Sequence, residues 1–394
     1  MRNLFSTRSI SPATLFRTGA DLTYGRNEAG VTVTHESALT YSGIWACVRL
    51  LVGDISTLPL DAYIRDGGVR RPLRPKPDWI ETPDPMDPSV TRIDHIGQVA
   101  LSILLDGNAF VLAEPDVFNP VSLTVLNPVR VRVTKPRREP EYHVTDMHGR
   151  PTGDAMGPSN IIHIPYFRAA GSLRGMSPID MNAGSIAISL AARKYVERFF
   201  GSGAMVPGFI SLPVEATQPQ ADDVAKKIAE KHGGWRKAGT WGVLSGGAKV
   251  EKVGLSPQDA DLTTIFRNQL EEGARIYGIP PFMVGSQEAA GVAYASSVER
   301  AQHYIDHALR HYIEPIEVAY RRLVPGPTTY VKFNYDAFLR GDTKSRYESY
   351  QTGLASKFLY LEDVWRLEDM DPKRTGTALE TPNNNGPRPT GAPA

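Results

Sequence analysis

One cysteine, Cys47, stands in 394 residues, which excludes an intrachain disulfide framework and any multi-cysteine metal site. It lies in an apolar stretch of helical periodicity, where a buried core thiol is expected over a reactive one. No run reaches the roughly 18 consecutive apolar residues of a membrane span. Met1 to Thr18 carries Arg2, Arg8 and Arg17 but no long apolar segment, so no secretory signal and no membrane partner are expected. An excess of charge is missing too. The 44 basic and 43 acidic residues leave a net charge of +1, so no bulk positive charge advertises nucleic-acid binding.

Motifs for catalysis are equally scarce. There is no G-x-x-x-x-G-K-[ST] phosphate loop; Gly171 to Gly175 comes near but is one residue short of the glycine spacing and is followed by Met176. Gly201-Ser202-Gly203 lacks a third glycine and ends a helix pattern instead of starting one. Neither G-x-S-x-G nor H-E-x-x-H occurs. His303, His307 and His311 are spaced i, i+4, i+8, and two such histidines could bind zinc. No cysteine is near and Asp306 and Glu314 lie off the stripe, so a solvated or subunit-facing stripe is expected. Asp259 and Asp261 read as a helix cap and surface, and Asp342 of Arg340-Gly341-Asp342 as a cap after a glycine turn. No catalytic residue, metal or cofactor is expected, and the chain is not read as an enzyme.

What is present is an ordinary folded composition, 41% hydrophobic and 22% charged, long enough for one large domain or two to three smaller ones. The fold class is α+β. Residues 1–36 are polar and glycine-rich and read as a mobile arm. Ile44, Val48, Leu51, Val52 and Ile55 fall on one face of a helix from Tyr41 to Leu58, stopped by Pro59. Alternation from Leu60 to Ile64, then Asp66-Gly67-Gly68, predicts a β-hairpin. A helix from Ser89 to Leu105, ended by Gly107, precedes strands at 109–113, 123–126, 129–133, 142–144 and 161–164, read together as one small sheet.

Ser177-Pro178 then starts a helix to Phe200, roughly 35 Å long. An insert with strands at 209–212, 241–244 and 249–253 and a helix at 219–231 separates it from a second helix, Ser256-Pro257 to Tyr277. Gly278-Ile279-Pro280-Pro281 breaks that helix, and a small-residue loop follows. Ser296 to Glu299 is a capping box for the longest helix. Its predicted face is Ala301, Ile305, Ala308, Leu309, Tyr312, Ile316, Ala319, Tyr320 and Leu323, with a kink at Pro315. A strand over 330–335 and helices from Asp342 and Glu362 close the fold. The Pro-, Asn- and Gly-rich end reads as disordered. No internal repeat is found.

An ordered set of blocks in this chain resembles the portal protein family of siphovirus-type tailed phages. The blocks are Ser56-Thr57-Leu58-Pro59-Leu60, Gly107-Asn108-Ala109-Phe110, His163-Ile164 and Gly175-Met176-Ser177-Pro178-Ile179. Phe199-Phe200, Gly208-Phe209-Ile210, Leu255-Ser256-Pro257-Gln258-Asp259 and Ile276 through Gly285 follow, then Leu339-Arg340-Gly341-Asp342. They span about residues 36 to 375.

The resemblance implies a structural protein of the virion. Twelve subunits would form a ring at one capsid vertex, through which double-stranded DNA is packaged and ejected. The near balance of charge fits a passage that lets DNA slide better than it fits a clamp. By the same analogy residues 37–175 are an α/β wing, and 176–201 and 256–278 are two stem helices flanking a clip, 202–255. Residues 279–296 carry the tunnel loop, 297–324 the long kinked helix, 325–340 the wing's return strand, 341–375 a short helical crown, and 376–394 the tail. The tunnel loop Gly285-Ser286-Gln287-Glu288-Ala289-Ala290-Gly291-Val292-Ala293-Tyr294 would line the channel, with Arg193, Lys194, Arg198, Arg267 and Arg275 as stem contacts to DNA. Partners implied are further copies of the chain, the terminase large subunit, major capsid and scaffolding proteins and a head-tail adaptor, with assembly in the host cytoplasm. Two other readings stand beside this one. A nucleic-acid-processing enzyme such as a nuclease would need clustered carboxylates or a phosphate loop. Another capsid-lineage structural protein would lack two Ser-Pro-started helices around an insert.

Overall fold

The computed structural model of the chain describes residues 31–114, 121–201, 208–211, 226, 249–252, 262–285, 297–335 and 343–368. Contacts divide it into two units, Met1–Tyr335 and Asp336–Ala394. The first opens with α1 (His35–Leu39), α2 (Ser42–Thr57), β1 (Leu60–Asp66), β2 (Val69–Pro72), α3 (Arg92–Asp106), β3 (Asn108–Glu114), β4 (Ser122–Leu126), β5 (Val131–Thr134), β6 (Glu141–Val144) and β7 (Ile161–Pro165). It continues through α4 (Pro178–Met181), α5 (Ala183–Gly201), β8 (Gly208–Ser211), β9 (Lys249–Lys252), α6 (Leu262–Tyr277), α7 (Ser297–Tyr304), a π-wound segment (Ile305–Leu309), α8 (Arg310–Tyr320) and β10 (Thr329–Phe333). The second unit holds α9 (Thr343–Ala355) and α10 (Leu361–Leu367). No described helix is long and apolar enough to cross a membrane.

Helix α2 buries Ile44, Val48, Leu51 and Ile55 of the predicted face, with Cys47 beside them, while Val52 is only half-buried. Burial pushes the Cys47 thiol up to about 12, so it sits in the core as a neutral, inert group. Arg92, at the start of α3, satisfies carbonyls that α2 leaves open at its end: its Nη1 lies 2.6 Å from Leu58 O. The next turn is a hairpin, β1–β2, with Gly67 and Gly68 both at positive φ (55° and 87°), as a type I′ turn requires.

The remaining strands do not form the one sheet predicted. Three separate small sheets lie in this part of the chain, ordered β10-β1-β2, β4-β3-β7 and β5-β6. Strand β10 comes from far along the chain and pairs antiparallel with β1, Leu60 opposite Phe333. Phe110, Val131, Tyr142, Val144 and Ile161 join β3, β5, β6 and β7 in one apolar cluster. Two local expectations are corrected. Residues 128–130 form a 3₁₀ turn capped by Asn127, so the alternating run 129–133 is extended only from Val131. Helix α3 starts at Arg92, not Ser89, because Thr91 and Asp94 build the capping box, while Asp87 accepts the Ser89 N–H in a preceding turn.

The long helix is not uniformly α. Two α-helical turns take about 7.2 residues and a π segment adds about one. Tyr304 and Tyr312, eight residues apart, can therefore share a face that a straight helix would split by about 80°. Tyr304, Tyr312 and Tyr320 are at most 2% exposed, and each hydroxyl has a hydrogen-bond partner. Tyr304 donates to Asp54 Oδ2 (2.7 Å), Tyr312 to Tyr277 O (3.3 Å), and Tyr320 pairs with His95 Nε2 (2.7 Å). Ile305, Ala308, Leu309, Ile313 and Ile316 are buried beside them, whereas Ala301, Ala319 and Leu323 of the predicted face are only half-buried. Pro315 lies inside α8, as predicted.

Burial raises the Asp54 carboxyl, and the Tyr304 bond draws it partly back down. Tyr304→Phe removes that donor and is expected to cost about 1–2 kcal/mol. An unchanged denaturant midpoint would show that Asp54 finds another partner.

In the second unit α9 and α10 form a helical hairpin. Glu368 binds Arg346 Nη2 (3.0 Å) and Tyr350 OH (2.9 Å). Lys357 turns the chain at φ 59°, and Leu359 packs on Gly353.

Candidate functional site

Two of the sequence blocks, 68 residues apart in the chain, meet in space. Gly107-Asn108 leads from α3 into β3, and Gly175-Met176-Ser177 leads into α4. Gly107 stops α3 in the left-handed region (φ 72°), and a Cβ there would stand 2.0 Å from Met176 O. Gly175 is wedged between two segments: a Cβ would stand 2.2 Å from Tyr166 O and 2.3 Å from Gly107 O. Both positions require glycine because backbone touches backbone.

Asn108, 1% exposed, fills the gap between the two segments. Its Nδ2 donates to Asp106 O, Asp106 Oδ1 and Gly175 O at 3.0, 3.0 and 3.2 Å. Its Oδ1 accepts the Gly175 N–H (2.7 Å) and faces His163 Nε2 (3.0 Å). An amide oxygen only accepts, so His163 carries its proton on Nε2. Burial, with Arg174 and Arg168 nearby, lowers His163 to about 3 and keeps it neutral. Its ring lies flat on Phe110, centroids 4.4 Å apart.

Arg174 closes the other side. Its guanidinium pairs with Asp106 and donates to Val131 O (2.6 Å). Burial raises the Asp106 carboxyl despite the opposing pull of Arg174. Ser177 serves two helices at once: its hydroxyl donates to Leu105 O near the end of α3 (2.7 Å) and accepts the Asp180 N–H that opens α4 (3.1 Å). The junction thus fixes where α4 and α5 leave the sheets. It contains no nucleophile with an activating base, so its chemistry is positioning.

The predicted helix 178–200 is interrupted. Asn182 (φ −113°, ψ 18°) separates α4 from α5. Near its start α5 meets the last turns of α6 through Ser185 and Glu272, as antiparallel neighbours do. Gly273 of α6 backs onto Gly43 of α2, a Cβ there lying 3.3 Å from Gly43 C and O. Helix α6 ends as predicted: Gly278 takes φ 70° and Ile279 N–H reaches back to Ala274 O (2.9 Å). Between the two helices β8 pairs antiparallel with β9. Of the insert's predicted helix at 219–231 only Lys226, helical and exposed, is described; the strand at 241–244 and the helix start at Ser256-Pro257 lie outside the described residues.

Arg193, Lys194 and Arg198 are exposed on α5, and Arg267 and Arg275 on α6. Arg193 is engaged locally, with Glu197 Oε1 (2.8 Å) and Thr40 O (2.6 Å). Of the predicted tunnel loop only Gly285 (φ 94°) is described; Ser286 to Tyr294 lie outside the described residues, as do Asp259, Asp261, Arg340 and Asp342. His303, His307 and His311 are exposed, the first two with ring centroids 4.5 Å apart. Among the described residues no group of three or more His, Cys, Asp or Glu is arranged to hold a metal. Sequence reasoning picked out Gly107-Asn108, His163 and Gly175–Pro178 as separate blocks; nothing in a single sequence signalled that Asp106 and Arg174 join them.

The family described as "Phage portal protein" matches residues 42–369. The "Probable portal protein" of Streptomyces phage phiC31 is 32% identical over 359 residues, covering 88% of this chain and 78% of that protein. An HK97-family phage portal protein from Corynebacterium diphtheriae shares the fold with a TM-score of 0.57 at 14% identity, over 77% of this chain and 96% of that one. A chain in the neck of a native gene transfer agent particle, computed with C12 symmetry, gives a TM-score of 0.52 at 20% identity, over 85% and 93%.

Proposed function

The chain belongs to the phage portal protein family, and on that premise we propose that its copies close into a ring at one capsid vertex, through which double-stranded DNA enters and leaves. The family match across residues 42–369 carries this reading. A ring of twelve is favoured by the C12 symmetry of the gene transfer agent neck, whose chain shares this fold. Helices α5 and α6 serve as the stem, with the β8–β9 segment as part of a clip carried to one end. The fixed junction at Asn108 sets the angle at which the stem leaves the wing, and Pro315 bends the long helix. Terminase, capsid, scaffolding and adaptor proteins dock on the assembled ring, which forms in the host cytoplasm.

In this reading the loop 285–294 forms a weakly interacting collar. Gly285 to Ser296 holds four alanines and a single charge, Glu288, with no lysine or arginine to grip phosphates. Gly291→Leu with Ala293→Phe is expected to leave rings intact in electron micrographs while DNA transport slows by about tenfold, a barrier increase of about 1.4 kcal/mol. Full packaging by that variant would move the channel lining elsewhere. A purified protein that stays monomeric at high concentration would sink the ring itself.

A further inference from the structure

The β1–β2 hairpin concentrates charge that the whole chain balances. From Asp61 to Lys76 there are five basic residues, Arg65, Arg70, Arg71, Arg74 and Lys76, against Asp61 and Asp66. Strand β2 is the edge of its sheet and is exposed along its length.

Register decides which of these side chains meet. Tyr63 lies opposite both Pro72 and Tyr330, and Arg65 opposite Arg70, so these residues share one face. On that face the Tyr63 and Tyr330 rings stack, centroids 5.9 Å apart. The Arg70 guanidinium lies 3.6 Å from the Tyr63 centroid, and that of Arg65 lies 5.8 Å from the Tyr330 centroid. Lys76 is already paired, with Glu81 (2.6 Å) and Asp61 (3.2 Å), and Arg71 with Asp66 (3.4 Å). Arg65, Arg70 and Arg74 have no carboxylate partner among the described residues.

A tyrosine beneath a guanidinium restricts its rotamers and leaves the N–H edge for an outside acceptor. That planar fork matches the oxygens of a phosphate or a carboxylate. Two features favour phosphate. A protein interface needs a desolvated apolar centre, whereas here the aromatic rings are covered by cations, leaving Val69 (56% exposed) as the one large apolar side chain of the hairpin open to solvent. Duplex DNA, in contrast, offers about one charge per 1.7 Å of axis with no apolar demand. The hairpin has no asparagine or glutamine with which to read adenine.

We propose that the outer face of the β1–β2 hairpin, through Arg65 and Arg70 together with the exposed Arg74 just past β2, is a sequence-independent contact for the phosphate backbone of duplex DNA, distinct from the predicted channel residues.

The test is binding of the full chain, as it assembles, to a closed circular plasmid. Such a molecule cannot thread an axial channel, so retention reads the outer surface, and the assay remains readable if the ring reading fails. Replacing Arg65, Arg70 and Arg74 together by Gln is expected to weaken retention at least tenfold and to reduce the log–log salt slope by about 2.7, roughly 0.9 for each lost phosphate contact. Replacing the same three by Lys is expected to keep the slope and lose only part of the affinity, since charge stays and the fork goes. A Gln triple variant with wild-type affinity and slope overturns the proposal. So does a Lys variant as weak as the Gln variant, which would make the loss structural. Tighter binding of polyglutamate than of plasmid at equal salt also overturns it, assigning the hairpin to an acidic protein surface.

Discussion

Gly175→Ala is expected to cost about 4 kcal/mol or more of folding stability, a large part of what a domain of this kind has. The added Cβ would lie 2.2 Å from Tyr166 O, 2.3 Å from Gly107 O and 2.7 Å from Tyr166 N. All three are backbone atoms, so no rotamer change relieves the clash and a chain segment has to move. Any such movement strains the Tyr166 N–H to Gly107 O bond (2.8 Å) and both bonds between Asn108 and the Gly175 backbone. Asn108→Leu attacks the same junction without a clash. It strands the Gly175 N–H, the Gly175 carbonyl and the His163 N–H, at a cost of about 3 kcal/mol. Gly153→Ala is the control, because nothing lies within 4 Å of its Cβ and its φ is not positive; a change within about 0.5 kcal/mol is expected. Thermal unfolding of the three variants decides the matter. A Gly175→Ala midpoint equal to that of Gly153→Ala would mean that the junction is loose in solution.

The elements that were legible in the sequence are those whose signals are local. Pro59 after an apolar helical face, Gly67-Gly68 between strands, Gly107 after α3 and Gly278 before two prolines each act through their own backbone, and each ends an element where expected. What was not legible depends on partners far away in the chain. The run 129–133 alternates like a strand, yet Pro128 and the Asn127 side chain favour a tight turn over its first residues. No property of 329–333 names β1 as its neighbour, so the sheet order was hidden. Helical periodicity assumes 3.6 residues per turn, and the π winding at 305–309 breaks that assumption, which is why Tyr304 was missed; the half-buried Leu323 was included although it lies in a 3₁₀ turn, 321–323, past the end of the α-helix. The junction shows the same limit. Its glycines, Asn108, His163 and Ser177 are visible as separate blocks through family resemblance, but their convergence is a property of the fold. The arginines of the β1–β2 hairpin could be counted beforehand; that Tyr63 and Tyr330 support two of them required the register.

His163→Gln is expected to flatten the acid limb of the stability profile. In the folded protein this imidazole stays neutral down to about pH 3, held there by burial and by the charges of Arg174 and Arg168. In the unfolded chain it takes up its proton near pH 6.5. Between those two values the unfolded state binds the extra proton, so stability is fully present above pH 6.5 and is lost as pH falls towards 3. Each pH unit costs about 1.4 kcal/mol, so the loss reaches roughly 3 kcal/mol by pH 4. Other groups titrate in the same range. His95, lowered to about 4 by burial, adds a loss of the same sign. Asp54, Asp106, Asp180 and Glu317 are raised by burial and act in the opposite sense, since the folded state protonates them first as pH falls. The wild-type profile alone is therefore a sum, and the difference between wild type and variant isolates His163. Glutamine keeps a donor for Asn108 Oδ1 but cannot titrate, so any fixed offset at pH 7 cancels from the comparison. Denaturant melts at pH 7, 5.5 and 4 should converge, the wild type losing roughly 3 kcal/mol more than the variant over that span. Parallel profiles would mean that the imidazole is already charged in the folded state, and its hydrogen bond to Asn108 would then have to be the charged one.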